Sequence, residues 1–123
     1  MPDKTWKAVE RAIARLFGGK RTGPIGSGVP DILHPWLAIE VKSRKRLPKL
    51  LHDTMQQAEE NAGNPAFLKL VATEYCIPLA GLELLPIAVL HQTGDRYTEA
   101  FVVIRLGEFI DRWVGGEDAQ EVE

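Results

Sequence analysis

Residues 18–30 hold five glycines and two prolines in thirteen positions. That density of φ-permissive and donor-less residues breaks any regular element, so the segment is expected to be a loop. An element that precedes it must end there, and the next must start afresh. Before it, Trp6, Val9, Ile13, Leu16 and Phe17 recur at helical spacing, with Asp3 as a plausible N-cap and Gly18-Gly19 as the stop. At about 100° per residue, Lys4, Lys7, Arg11 and Arg15 form a second, basic stripe on this helix. Glu10, i+4 from Trp6 and i−3 from Ile13, lies at the edge of the apolar stripe. Its position and its chemistry disagree.

After the loop, Val29–Leu33 is a short strand candidate, His34-Pro35-Trp36 a turn, and Leu37–Arg44 a better strand. In the latter, Leu37, Ile39 and Val41 face one side and Ala38, Glu40 and Lys42 the other. Pro48 suits the first turn of a second helix, whose Leu47, Leu51, Met55, Ala58 and Ala62 keep helical spacing until Gly63. Phe67–Val71 begins either a helix or a strand, which Pro78 interrupts. Leu85–Leu90 reads as a strand buried on both faces, Gly94-Asp95 as a turn, Phe101–Leu106 as a strand and Glu108–Val114 as a closing helix. Phe109 and Trp113 are expected to dock that helix, or else to contribute to a dimer surface. The order α-β-β-α-?-β-β-α implies an α/β or α+β sandwich. With 123 residues and no internal repeat, one core is expected, in a single domain over 1–114 followed by an acidic tail at 115–123.

Composition excludes some classes of protein. Hydrophobic content of 45% and charged content of 26% are ordinary globular values, so wholesale disorder is excluded. No apolar run approaches the ~18 residues of a membrane span, and Asp3, Lys4 and Lys7 leave no secretory signal at the start. The lone Cys76 forms no internal disulfide, which fits a reducing, cytoplasmic setting. It also lacks a basic neighbour to activate it. His34, His52 and His91 show no ligand spacing and are read as structural or surface residues. The net charge of −2 hides a strong asymmetry. Residues 1–50 carry eleven Lys/Arg and four acids, net +7, and residues 51–123 carry four Lys/Arg and thirteen acids, net −9. Such a split points to a polyanionic partner. The few acids inside the basic half need a reason to be there.

Pro30-Asp31, with Glu40-Val41-Lys42 beginning nine residues after the aspartate, supplies one. If the two strands form a hairpin centred between Pro35 and Trp36, the numbers of facing residues sum to 71, which sets Asp31 across from Glu40. Pro35 cannot adopt positive φ, so a type I′ two-residue loop is excluded, and a four-residue loop keeps the same register. Like charges with Cβ atoms about 5 Å apart destabilise a sheet unless something neutralises them. A divalent cation is the simplest neutraliser. Mg²⁺ is typically held by one or two carboxylates together with substrate phosphate. It would polarise the phosphate and lower the pKa of a bound water, while Lys42, two residues from Glu40, would orient the water or stabilise transition-state charge. Glu10 reaches the same site from the helix as a third ligand or through water, or it is a boundary residue with a solvated tip. Ser27 either hydrogen-bonds a phosphate or serves the turn.

Together these residues resemble the PD-(D/E)xK motif of the restriction-endonuclease-like nuclease superfamily. Glu10-Arg11 on the first helix, the glycine-rich loop bearing Ser27 and the basic Ser43–Lys49 run are similar to archaeal-type and phage Holliday junction resolvases. The likeness covers roughly residues 5–62 and the strand near 85–91, whereas 64–84 match nothing and read as an insertion. The resemblance implies an α/β fold with a restriction-endonuclease-like mixed β-sheet flanked by helices. It implies a homodimeric, Mg²⁺-dependent endonuclease, with Mn²⁺ able to substitute, that cuts four-way junction DNA in a bacterial, archaeal or phage-infected cell. Carried over, Glu10, Asp31 and Glu40 become metal ligands and Lys42 the catalytic lysine, with Arg11 and Ser27 contacting substrate. Lys4, Lys7, Arg44, Lys45, Arg46 and Lys49 are expected to track phosphates, giving sequence-independent, salt-sensitive binding. Two alternatives remain open: another nuclease of the superfamily, nicking or restriction-type, or a non-catalytic nucleic-acid-binding module.

Overall fold

Helix α1, Trp6–Leu16, ends as its two glycines predict. Gly18 takes φ +73°, its N–H donates to the Arg15 carbonyl (3.0 Å), and the Gly19 N–H donates to that of Ala14 (2.9 Å). This is a Schellman stop, which satisfies carbonyls the helix would leave unpaired. The computed structural model describes residues 6–23 and 28–115. The expected cap Asp3, together with Lys4, Ser27 and the tail beyond Gly115, falls outside them. The described residues combine helices with two small antiparallel two-stranded sheets. They divide into two compact units, one comprising residues up to Lys45 together with those from Leu106 onward, the other Arg46–Arg105.

In the first unit the glycine-rich segment is not all loop. Strand β1, Lys20–Arg21, pairs with β2, Ile32–Leu33, in the register Lys20↔Leu33 and Arg21↔Ile32. The Thr22 N–H extends the ladder to the Asp31 carbonyl at 2.9 Å. Gly19 makes this approach possible, because a Cβ there would collide with the Leu33 carbonyl oxygen. On its other side β2 meets the expected partner in the expected register, through a single antiparallel bridge, Ile32↔Ile39. The strand foreseen over Leu37–Arg44 is reduced to that one bridge. A bulge-like offset accounts for the shortfall. The Asp31 N–H donates to the Ile39 carbonyl (2.9 Å), so that Asp31 and Ile32 both address Ile39 and the ladder goes no further.

The buried face of α1 is rotated from the one the apolar spacing predicts. Glu10 and Ala14 are buried and continue to Phe17, whereas Trp6 remains 61% exposed. Val9, Ile13 and Leu16 flank this face, half-buried. The core of this unit is Ala14, Phe17, Ile32 and Ile110. Phe17 sets its ring edge-on to His34 and 6.2 Å from Phe109. Phe109 ends helix α4, Leu106–Phe109, and the chain continues as a π-helical turn over Ile110–Val114. Phe109 therefore docks the closing helix as expected; Trp113 touches Phe109 but stays largely exposed.

In the second unit, α2 runs Lys49–Ala62 and buries Met55. The segment that the sequence leaves open between helix and strand is helix α3, Pro65–Tyr75. Asn64 caps it by accepting from the Phe67 N–H at 3.1 Å, and Pro65 occupies the first turn. Strands β3, Ala88–Leu90, and β4, Phe101–Val103, pair antiparallel, Val89 facing Val102. The strand expected to be buried on both faces over 85–90 is shorter and one-sided: Ala88 is buried but Ile87 and Val89 are exposed. Arg105 donates to Glu59 of α2 through Nε at 2.8 Å and Nη2 at 3.3 Å. This hydrogen-bonded pairing lowers the Glu59 carboxyl below the ordinary glutamate value and raises the Arg105 guanidinium.

Each unit offers one direct test. Ile32→Ala, at a position with 2% exposure in the middle of three segments, costs about 2–5 kcal/mol in urea unfolding. A cost below about 1 kcal/mol would show that β2 is not central to its unit. In the second unit, a carboxyl lowered in the folded state contributes stability that is present above its unfolded value and lost as pH falls through its folded one. In an NMR titration the Glu59 midpoint therefore lies below the ordinary value and returns to it in Arg105→Ala.

Candidate active site

Asp31 is the most constrained of the residues the sequence singles out. Its carbonyl accepts from Thr22, its N–H donates to Ile39, and its Oδ2 accepts the Val41 N–H at 2.8 Å. The last of these belongs to the peptide that joins Glu40 to Val41. The carboxylate of Asp31 is thus held against the backbone of the Glu40-Val41-Lys42 triplet, next to the Ile32↔Ile39 bridge. The side chains of Glu40 and Lys42 are exposed. Asp31 keeps its second carboxylate oxygen for another partner.

Glu10 is brought toward this region but in a different role. It is only 8% exposed, and its Oε1 accepts from Arg21 Nε at 2.7 Å. The two side chains retain 11% and 20% of their exposure, so the pair is largely withdrawn from water. A carboxylate in such a place requires a cation, and Arg21 of β1 supplies it. The reading of Glu10 as a solvated boundary residue is therefore incorrect, and its reading as a ligand must contend with an oxygen already claimed. Among the described residues no group of three or more His, Cys, Asp or Glu is placed to hold a metal ion. The Asp31 carboxylate lies against the Glu40–Val41 peptide, and the Glu40 side chain beside it is exposed.

Glu10 and Asp31 line a common cleft of about 320 Å³ with Trp6, Lys7, Arg21 and Pro30. Arg21 carries its guanidinium 5.3 Å from the centre of the Trp6 ring, and Lys7 its ammonium at 5.5 Å. The cleft thus joins two carboxylates, two cations and an aromatic face. Sequence reasoning missed Arg21 and the exposure of Trp6. Arg21 lay in a segment read as loop, and Trp6 fitted the apolar stripe; the unmatched charge of Glu10 was the available signal for a buried cation.

The other predicted contacts are dispersed. Lys7, Arg11 and Arg15 are exposed on α1, and the basic stripe exists. Arg44 and Lys45 belong to the first unit, Arg46 and Lys49 to the second. All four are exposed, and Lys49 pairs with Asp53 at 2.6 Å. Lys4 and Ser27 lie outside the described residues. Among the described residues no helix is long and apolar enough to cross a membrane. No family model, no curated protein and no solved structure matches the chain.

The Glu10–Arg21 contact makes a direct prediction. Glu10→Gln and Arg21→Ala each cost about 1–3 kcal/mol of stability, because each strands a charged partner away from water. The double variant costs less than the two added together, as residues in one ion pair couple. Simple additivity in urea unfolding would show the pair to be incidental.

Proposed function

We propose that the protein is a metal-dependent endonuclease of the PD-(D/E)xK type that hydrolyses the backbone of branched, four-way DNA as a homodimer. One observation carries this reading: the Asp31 carboxylate is fixed on the Glu40–Val41 peptide, beside the Glu40-x-Lys42 triplet. Asp31 and Glu40 would hold Mg²⁺, or Mn²⁺ in its place. The ion supplies polarisation of a phosphate oxygen and a more acidic bound water. Lys42, exposed two residues from Glu40, would orient the attacking water or meet charge developing on the phosphate. Glu10 serves chiefly to fix Arg21, and through β1 it fixes the strand that begins just after Asp31.

The exposed cations Lys7, Arg11, Arg44, Lys45, Arg46 and Lys49 support a polyanionic substrate contacted at phosphates, without base-edge reading. The restriction-endonuclease-like arrangement and the junction preference rest on the motif and on these flanks. A non-catalytic nucleic-acid-binding module is the second reading, favoured because among the described residues no group of three or more His, Cys, Asp or Glu is placed to hold a metal ion.

Asp31→Asn and Glu40→Gln are expected to bind a four-way junction as the unaltered chain does, yet to lose cleavage in Mg²⁺ by about a hundredfold or more, about 3 kcal/mol of barrier. Full activity in either variant overturns the site. Rapid cutting of plain linear duplex overturns junction selectivity, and intact DNA binding with no calorimetric Mn²⁺ affinity supports the module.

A further inference from the structure

We propose that the indole of Trp6 is a stacking platform for one unpaired nucleobase of the DNA, beside Asp31. The proposal rests on the DNA reading above and adds to it the part of the substrate this cleft receives.

Trp6 is a large aromatic residue at a boundary where the first helix turns a buried face to the core, yet it keeps 61% of its surface open. Covering the Glu10–Arg21 pair explains why one part of the ring meets the Arg21 guanidinium at 5.3 Å. It does not explain the rest. A smaller apolar residue would dry the pair as well, and an open indole exposes apolar area that water does not favour. The ring lines a cleft whose other walls include Lys7, Gly23, Val29, Pro30 and Asp31 beside the Glu10–Arg21 pair.

Each wall matches one part of a nucleotide. An indole and a base stack through their π faces, whatever the base. Val29 and Pro30 offer apolar edges, and Gly23 leaves backbone uncovered. Lys7, exposed and on a flexible stem, rests over the indole at 5.5 Å. It is the cation free to exchange the ring for a phosphate when a base arrives. Arg21 is not, because Glu10 holds it. A cleft of about 320 Å³ lies at the small end of ligand pockets, sized for one mononucleotide and not for a stretch of duplex. A base reaches it only when unstacked and unpaired, as it is at a branch point or in a single strand. The platform therefore selects for broken pairing, while the surrounding lysines and arginines bind any phosphate backbone.

The test uses the full chain in EDTA, so that no cleavage occurs, with a fifteen-residue oligo-dT and a blunt linear duplex as probes in fluorescence anisotropy. Trp6→Ala is expected to weaken oligo-dT binding roughly 5- to 150-fold, the range of one base–aromatic stack, and to leave duplex binding unchanged. Trp6→Phe, which keeps a π face, stays within about threefold of the unaltered chain on both. Placing 2-aminopurine in the oligonucleotide gives a second readout: its fluorescence is quenched by the unaltered chain and by Trp6→Phe, not by Trp6→Ala. Equal losses on both DNAs, wild-type affinity in Trp6→Ala, or an unaltered chain that does not hold oligo-dT would each overturn the platform. The Asp31→Asn cleavage assay is separate from all of these. Its failure removes the nuclease reading and leaves stacking standing, and the reverse holds for Trp6.

Discussion

A carboxylate on the core side of the first helix is the constraint that organises the first unit. Glu10 lies at the edge of the apolar stripe yet is buried, and its charge is tolerated because Arg21 meets it at 2.7 Å. That contact spans the glycine stop and fixes where the chain goes after α1. With Arg21 held, Lys20–Arg21 forms a strand rather than a loop; β2 pairs with it, and Ile39 bridges to β2 from the other side. Asp31 thus becomes the middle residue of three adjacent segments, with backbone bonds to both neighbours. The net value of such a pair is modest once desolvation is counted. Its consequence is geometric: it sets which backbone groups lie on each side of Asp31.

How far the sequence reveals this depends on whether the signal is local. Helix ends are legible because caps and stops act within four or five residues: Gly18-Gly19 terminates α1, and α2 ends at Gly63. The hairpin register is legible too, since Pro35 and the loop length restrict it, and Ile32 does face Ile39. The extent of the second strand is not, because a bulge depends on backbone bonds that no residue type announces. For α3 the Asn64-Pro65 start is a readable cap, but Phe67-Leu68-Lys69-Leu70-Val71 suits either period. The rotation of α1 is the most instructive miss. Apolar counting places Trp6 inward and Glu10 at an edge, and only the distant partner Arg21 reverses them.

The same pair determines what a metal ion would encounter. With Glu10 neutralised, the negative charge left for a cation near β2 comes from Asp31 and Glu40. Asp31 has already committed Oδ2 to a backbone N–H. Such a bond orients the carboxylate, presenting its other oxygen in a fixed direction, and hydrogen-bonded ligands are the usual arrangement around metal sites. Two carboxylates bind Mg²⁺ weakly unless phosphate oxygens complete the shell. On the proposed function, an ion shared by these two carboxylates would be completed by phosphate oxygens of the substrate.

Charge distribution then favours a particular face. In the cleft, Glu10 pairs with Arg21, Asp31 accepts from the Val41 N–H, and Lys7 lies beside them with Arg11 and Arg15 exposed along the same helix. The side of α1 that carries Lys7, Arg11 and Arg15 is basic even though two acids line the cleft, because Glu10 is paired with Arg21 and Asp31 accepts from the Val41 N–H. A polyanion approaching α1 meets cations first and carboxylates only at the bottom of the cleft. For a polyanion that order lets attraction act at long range, with the like-charge contact to Asp31 confined to the cleft. The buried acid and the surface bases are thus not in conflict, since each acts at a different distance from the incoming strand.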